Sequence, residues 1–165
     1  MASIIEQINS FAQNNKELVI LDFTHGLNTD SWTDESSALT QQEWERLLNL
    51  LGGLKNRITG LGSIAYLTTL KLSQLINNRA AVIIVVDAKI QGGGRVDISR
   101  FVSQGLFTRK QFPLYNVYSD TNDQSDMIVD QLQKMKTYAA PSSSSLFLLS
   151  WTFTQGITAA HRPER

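Results

Sequence analysis

Cysteine is absent from these 165 residues. A disulfide framework and a thiolate metal site are thereby excluded. An excess of either charge is absent as well: 15 Lys and Arg balance 15 Asp and Glu. No basic field therefore points to a nucleic-acid partner. Apolar runs long enough to span a bilayer are missing, so no transmembrane segment is expected. The residues after Met1 read as a polar amphipathic segment rather than a signal peptide, and no compartment is assigned. Histidine is confined to His25 and His161. A P-loop, a His-x-x-x-His pair and a serine-nucleophile elbow do not occur.

What is present suits one domain with a sizeable core. Ser3-Ile4-Ile5-Glu6 reads as a capping box, and Ile4, Ile5, Ile8, Phe11 and Ala12 are expected on one helical face. Asn14-Asn15-Lys16 stops that helix. Thr40-Gln41-Gln42-Glu43 is a second capping box, opening a helix with Trp44, Leu47, Leu48 and Leu51 that Gly52-Gly53 ends. Residues 26–39 are polar and read as a loop. A short helix is expected over 70–78. Asp123 or Ser125 caps a further helix carrying Met127, Ile128, Leu132 and Met135. Helices are expected at about 3–14, 40–51 and 123–138.

Strands are expected at 18–23, 81–86, 114–118 and 146–151. The run Ala80 to Val86 suits a strand buried on both faces. Residues 88–112, with Gly92-Gly93-Gly94, read as a long irregular stretch. Pro141 and the serines after it read as a linker, and 158–165 as a tail. Strands alternating with helices imply an α/β fold with a parallel sheet and crossovers. Two strands switch abruptly from apolar to polar at their C-terminal ends: Leu18-Val19-Ile20-Leu21-Asp22-Phe23-Thr24-His25 and Leu146-Phe147-Leu148-Leu149-Ser150-Trp151-Thr152-Phe153-Thr154-Gln155. In parallel α/β folds that end carries the ligand cleft.

The string Glu17 to His25 resembles a mid-barrel strand of phosphatidylinositol-specific phospholipase C X-type domains. Pro113 to Asp120, the Met127 to Lys136 helix and Phe147 to Gln155 resemble later parts of the same domains. The resemblance covers residues 3–157 and implies an irregular TIM-type (β/α) barrel. It also implies a phosphoric diester hydrolase acting on inositol phospholipid or related phosphodiester headgroups. The family uses one histidine as general base and another as general acid, with an Arg or, in one branch, a calcium ion against the phosphoryl charge. Those histidines and the "D-x-R" element belong to the first three barrel strands. This chain matches from the fourth strand onward. The expectation is a central-to-C-terminal segment, inactive by itself, with calcium as the only cofactor the resemblance suggests.

His25, Asp87, Asp120 and Trp151 are the expected headgroup-binding residues, each at or just beyond a strand's C-terminal end. No catalytic residue and no metal-ligand set is assigned. The alternative for His25 is a hydrogen-bonded structural role, for Asp120 a turn or cap, for Trp151 a place in the core. Asp22, inside an apolar strand, needs either a partner or a place in the site. Arg95, Arg100, Arg109 and Lys110 either touch a phosphate or are solvated.

Two other function classes remain open. A segment of four strands cannot close an eight-stranded barrel, so a non-catalytic half-barrel pairing with a copy of itself is one. An open α/β nucleotide-binding domain using Gly60-Leu61-Gly62 is the other. That fingerprint lacks a preceding strand in the sequence.

Overall fold

The computed structural model describes residues 2–26, 38–76, 79–138 and 144–151. Positions 27–37 of the expected loop, 141–143 of the linker, 152–155 of the string ending at Gln155, and the tail with His161 lie outside the described residues. The chain divides into two compact units, Met1–Phe112 and Pro113–Arg165.

The first unit is built on a three-stranded parallel sheet, ordered β1 (Leu18–Phe23), β2 (Ala81–Val86), β3 (Leu106–Thr108). The first two coincide with the expected strands. Every residue of β2 is buried, as its uninterrupted β-branched run implies. Val19, Leu21, Phe23, Val82, Ile84, Val86 and Leu106 lie on one face, with Trp44, Leu48, Leu51 and Leu54 packed over them. Leu18, Ile83, Val85 and Phe107 lie on the other, under Leu67, Leu70, Leu75 and Phe112. The sheet is thus the middle of three layers.

Helix α1 (Ala2–Asn14) begins one residue before Ser3, so Ser3 is inside the helix and does not cap it. Ile5, Ile8 and Ala12 face the core, whereas Ile4 and Phe11 are about half exposed, at 51% and 48%. One helical residue is about 100° of rotation. Ile4 and Phe11 therefore form a second stripe beside the buried one, not part of it. The stop at Asn14-Asn15 is physical: their side-chain amides donate to the carbonyls of Ser10 and Phe11, at 3.0 and 2.8 Å.

Helix α2 (Gln41–Leu50) has both halves of its capping box. The Glu43 amide donates to Thr40 Oγ1 at 3.3 Å, and the Thr40 amide to Glu43 Oε2 at 2.8 Å. Helix α3 (Leu72–Ile76) starts two residues later than the expected 70–78 element, whose positions 77–78 lie outside the described residues. The stretch 88–112 is less irregular than expected. It contains a 3₁₀ segment (Ser99–Gln104) and β3. Gly105 joins them at φ 85°, where an added Cβ would meet the Ile58 carbonyl oxygen. Only glycine fits both the angle and the approach.

The second unit pairs β4 (Leu114–Tyr115) with β5 (Leu146–Phe147), again parallel, beside α4 (Gln124–Tyr138). Asp123 caps α4, accepting from the Asp126 amide at 3.0 Å. Both strands are shorter than the expected 114–118 and 146–151. The cause is Gln131, fully buried on α4. Its Nε2 donates to the Val117 carbonyl and to Ser119 Oγ, at 3.0 and 2.9 Å. Its Oε1 accepts from the Ser150 amide at 3.0 Å. A side-chain amide wedged between the two segments replaces the backbone ladder beyond Leu148.

Two outcomes test these assignments. Gln131→Leu strands a buried amide and carbonyl and is expected to cost about 2–4 kcal/mol in urea unfolding of the second unit, at about 1–3 kcal/mol per unpaired group with partial relaxation. Thr40→Ala is expected to cost about 1 kcal/mol. The Glu43 carboxyl is held below its ordinary 4.5, first by the Thr40 backbone amide and then by its hydroxyl. A depressed folded value stabilises fully above 4.5 and is lost as pH falls through that lowered value. Thr40→Ala keeps the backbone amide and removes only the hydroxyl contribution, so the stability gap between it and wild type should narrow by that smaller share on acidification below pH 4.5.

Candidate functional site

The register of the first sheet fixes which side chains meet at its C-terminal end. Asp22 pairs with Val85, and Val85 with Phe107. Side chains alternate along a strand, so Asp22, Asp87 and Arg109 all project on the Ile83–Val85–Phe107 face. Asp87 and Arg109 are the first residues of that face beyond the ends of β2 and β3. The Asp87 amide donates to the Phe23 carbonyl at 2.8 Å, which extends the ladder one step and fixes its carboxylate.

Arg109 closes the group. Its Nη2 lies 2.6 and 2.7 Å from the two carboxylate oxygens of Asp22. Its Nε lies 3.3 Å from Asp87 Oδ2. Arg95 comes from the hairpin-like turn bridged at Lys89 and Arg95, and its Nη1 pairs with Asp87 Oδ1. Two carboxylates and two guanidiniums thus balance at the ends of three strands. The side chains of Asp22, Asp87 and Arg109 are 21–25% exposed, while that of Arg95 is 66% exposed. Arg95 therefore keeps donors turned to solvent. Arg109 Nη1 is buried and has no partner among the described residues.

The expected site residues divide between the units. His25 and Asp87 follow the C-terminal ends of β1 and β2 in the first unit. His25 is exposed, with Nδ1 2.9 Å from Thr24 Oγ1. Gly26 beside it lets the chain pass over Trp44, whose ring an added Cβ would strike. Asp120 and Trp151 follow β4 and β5 in the second unit. Asp120 adopts φ 55°, in the left-handed region, and Trp151 is half exposed rather than core. Asp22 has a partner, as a carboxylate in an apolar strand requires. Of the four cations Arg95, Arg100, Arg109 and Lys110, Arg95 and Arg109 gather here. Arg100 instead pairs with Glu45 at 2.8 Å, and Lys110 is exposed in the turn after β3.

Calcium does not fit this donor set. It takes about six to eight oxygen ligands, and the two carboxylates here are engaged by arginines. Among the described residues no group of three or more acidic or His side chains is arranged to hold a metal ion. Gly60-Leu61-Gly62 is not a phosphate cradle either. An isolated bridge at Arg57 precedes it and a turn follows, where the fingerprint needs a strand and a helix. Comparison with protein-family models, curated proteins and solved structures finds no match to this chain.

Arg109 is the residue whose role was hardest to read from sequence. Its one signal is the alternation Phe107-x-Arg109 after a three-residue apolar strand. Arg109→Leu leaves two partly buried carboxylates facing each other. It is expected to cost about 1–3 kcal/mol, between an exposed pair at about 1 and a buried one at about 3–5. A double-mutant cycle with Asp22→Asn, read by urea unfolding, should show coupling. Additive losses would mean the pair contributes nothing.

Proposed function

We propose that this chain supplies the central strands of a phospholipase-C-like phosphodiesterase barrel, and that the C-terminal ends of β1, β2 and β3 hold a polar lipid headgroup. The observation that carries this reading is the gathering of Asp22, Asp87, Arg95 and Arg109 where a parallel sheet places its ligands. Acidic side chains held by arginines are fixed acceptors for sugar hydroxyls. Arg95, with donors in solvent, suits the phosphate. His25 stands at the same sheet end and adds a neutral or cationic donor at the rim.

Binding rather than turnover is the role proposed for the chain alone. The family's chemistry needs a positioned acid and a positioned base, worth about 10²–10⁴-fold each. By the resemblance, neither His25 nor His161 matches those positions. The purified chain is expected to show no turnover of phosphatidylinositol or a soluble inositol phosphodiester, with or without calcium. It should bind inositol 1-phosphate, and Arg95→Ala should weaken that binding about tenfold, the worth of one charge-assisted contact. Robust turnover abolished by His25→Ala would defeat the binding-only role. Undetectable binding would defeat the headgroup reading.

A second reading, an interaction module that pairs with another copy, draws support from the second unit. Val117, Tyr118, Val129, Leu148 and Trp151 are exposed there, Val129 at 69%. Sedimentation velocity decides it: a concentration-dependent dimer favours pairing, and a monomer at all concentrations rejects it.

A further inference from the structure

The other end of the first sheet is electrostatically different. A cavity of about 460 Å³ opens between the C-terminal end of α1, the turn at Lys55-Asn56 and the entry to β2. Lys16, Lys55 and Arg79 line it, together with Asn9, Asn14 and Asn56, and no acidic side chain does. Its volume falls in the range of small-ligand sites, about 300–1,000 Å³.

We propose that this cavity binds a small phosphorylated anion. Three cations converge on one concavity, and none takes part in an ion pair among the described residues. Elsewhere in the same unit Arg95, Arg100 and Arg109 are each matched to a carboxylate and Arg57 to backbone carbonyls, while Arg46, Lys71, Lys89 and Lys110 are exposed and do not line the cavity. Solvated lysines on a convex surface need no partner. Three unmatched cations around a hollow raise the local potential toward an anion.

The walls are held in place. Asn9 donates from Nδ2 to the Gly53 carbonyl at 3.0 Å and accepts at Oδ1 from the Lys55 amide at 2.7 Å, tying the turn to α1. Asn56 has φ 58°, a left-handed turn that asparagine tolerates. Its carbonyl accepts from the Val82 amide at 2.9 Å. Lys16 and Arg79 each lie two residues before a strand, and the pairing of Leu18 with Ala81 brings these entries side by side.

Two features oppose an anion. The C-terminal end of α1 carries about half a negative charge, and Glu17 is adjacent in sequence. The helix end is already softened by the amide groups of Asn14 and Asn15 on its last carbonyls. Three full positive charges exceed what remains. The asparagine amides add donors and acceptors suited to phosphate oxygens and to hydroxyls.

The test is calorimetric titration of the full chain with inorganic pyrophosphate at low ionic strength. Wild type should bind. Lys55→Gln and Arg79→Gln should each weaken binding about tenfold, the worth of one charged contact. Lys110→Gln and Lys89→Gln, exposed cations outside the cavity, should leave it unchanged. These positions are exposed, and circular dichroism verifies that each variant is folded. Three results overturn the proposal: no binding by wild type, equal weakening by Lys110→Gln, or loss of binding in Arg95→Ala. The last would place the phosphate at the opposite end of the sheet. Phosphatidylcholine vesicles doped with a phosphoinositide distinguish the source. Sedimentation that Lys55→Gln and Arg79→Gln abolish marks a lipid headgroup, and absence of sedimentation marks a soluble phosphate; either supports the cavity as the site.

Discussion

Full burial of β2 is the constraint on which the first unit depends. All six of its residues are out of water, and it hydrogen-bonds to β1 on one edge and to Asn56, Ile58 and β3 on the other. Nothing charged is tolerable along it without a buried partner. Polar chemistry must therefore collect at its two ends. Ala80 and Arg79 mark one end and Asp87 the other. The three-layer packing follows, because a strand apolar on both faces needs cover on both.

That constraint explains why one carboxylate inside β1 is acceptable. Asp22 is on the edge strand and on the face where Ile20 is 40% exposed, so its neighbourhood is not fully dry. Parallel register then sets Arg109 at the next same-face position beyond β3, within reach of Asp22 and Asp87 together. A guanidinium spans two acids because its planar fork offers donors in several directions, which an ammonium does not. Arg95 completes the charge balance from the turn after β2. The pairs are only partly desolvated, so their Coulomb gain is moderate and their main effect is to fix orientation.

Much of this fold is legible in the chain. β1 and β2 are announced by apolar runs of strand length bounded by polar residues, and α2 by a capping box whose two hydrogen bonds both form. β3 is not legible, because three residues carry too little periodicity. Its existence depends on Gly105 and on an open edge of β2, which are tertiary facts. β4 and β5 read longer than they are for the same reason. Their apolar runs are extended in pattern, but Gln131 arrives from α4 and takes their hydrogen bonds. The acids at the strand ends were readable as polar termini. The arginines that neutralise them were not, since Arg109 and Asp22 are far apart in sequence and meet only through register. Asp120 and Trp151 belong to a different unit from His25 and Asp87, and a linear reading has no way to see that division.

The two ends of one small sheet therefore differ in kind. At the C-terminal end, opposite charges are spent on each other, and what they offer a ligand is fixed geometry with one guanidinium left facing water. At the N-terminal end, three cations meet no carboxylate among the described residues, and what they offer is potential. Apolar strands force this separation, because a charge without a partner is costly between the ends. A parallel sheet then sorts the charges by where each strand enters and leaves. A ligand at the paired end must match a pattern of donors and acceptors. A ligand at the unpaired end needs chiefly negative charge, so its affinity should fall steeply with salt while that of the first falls little.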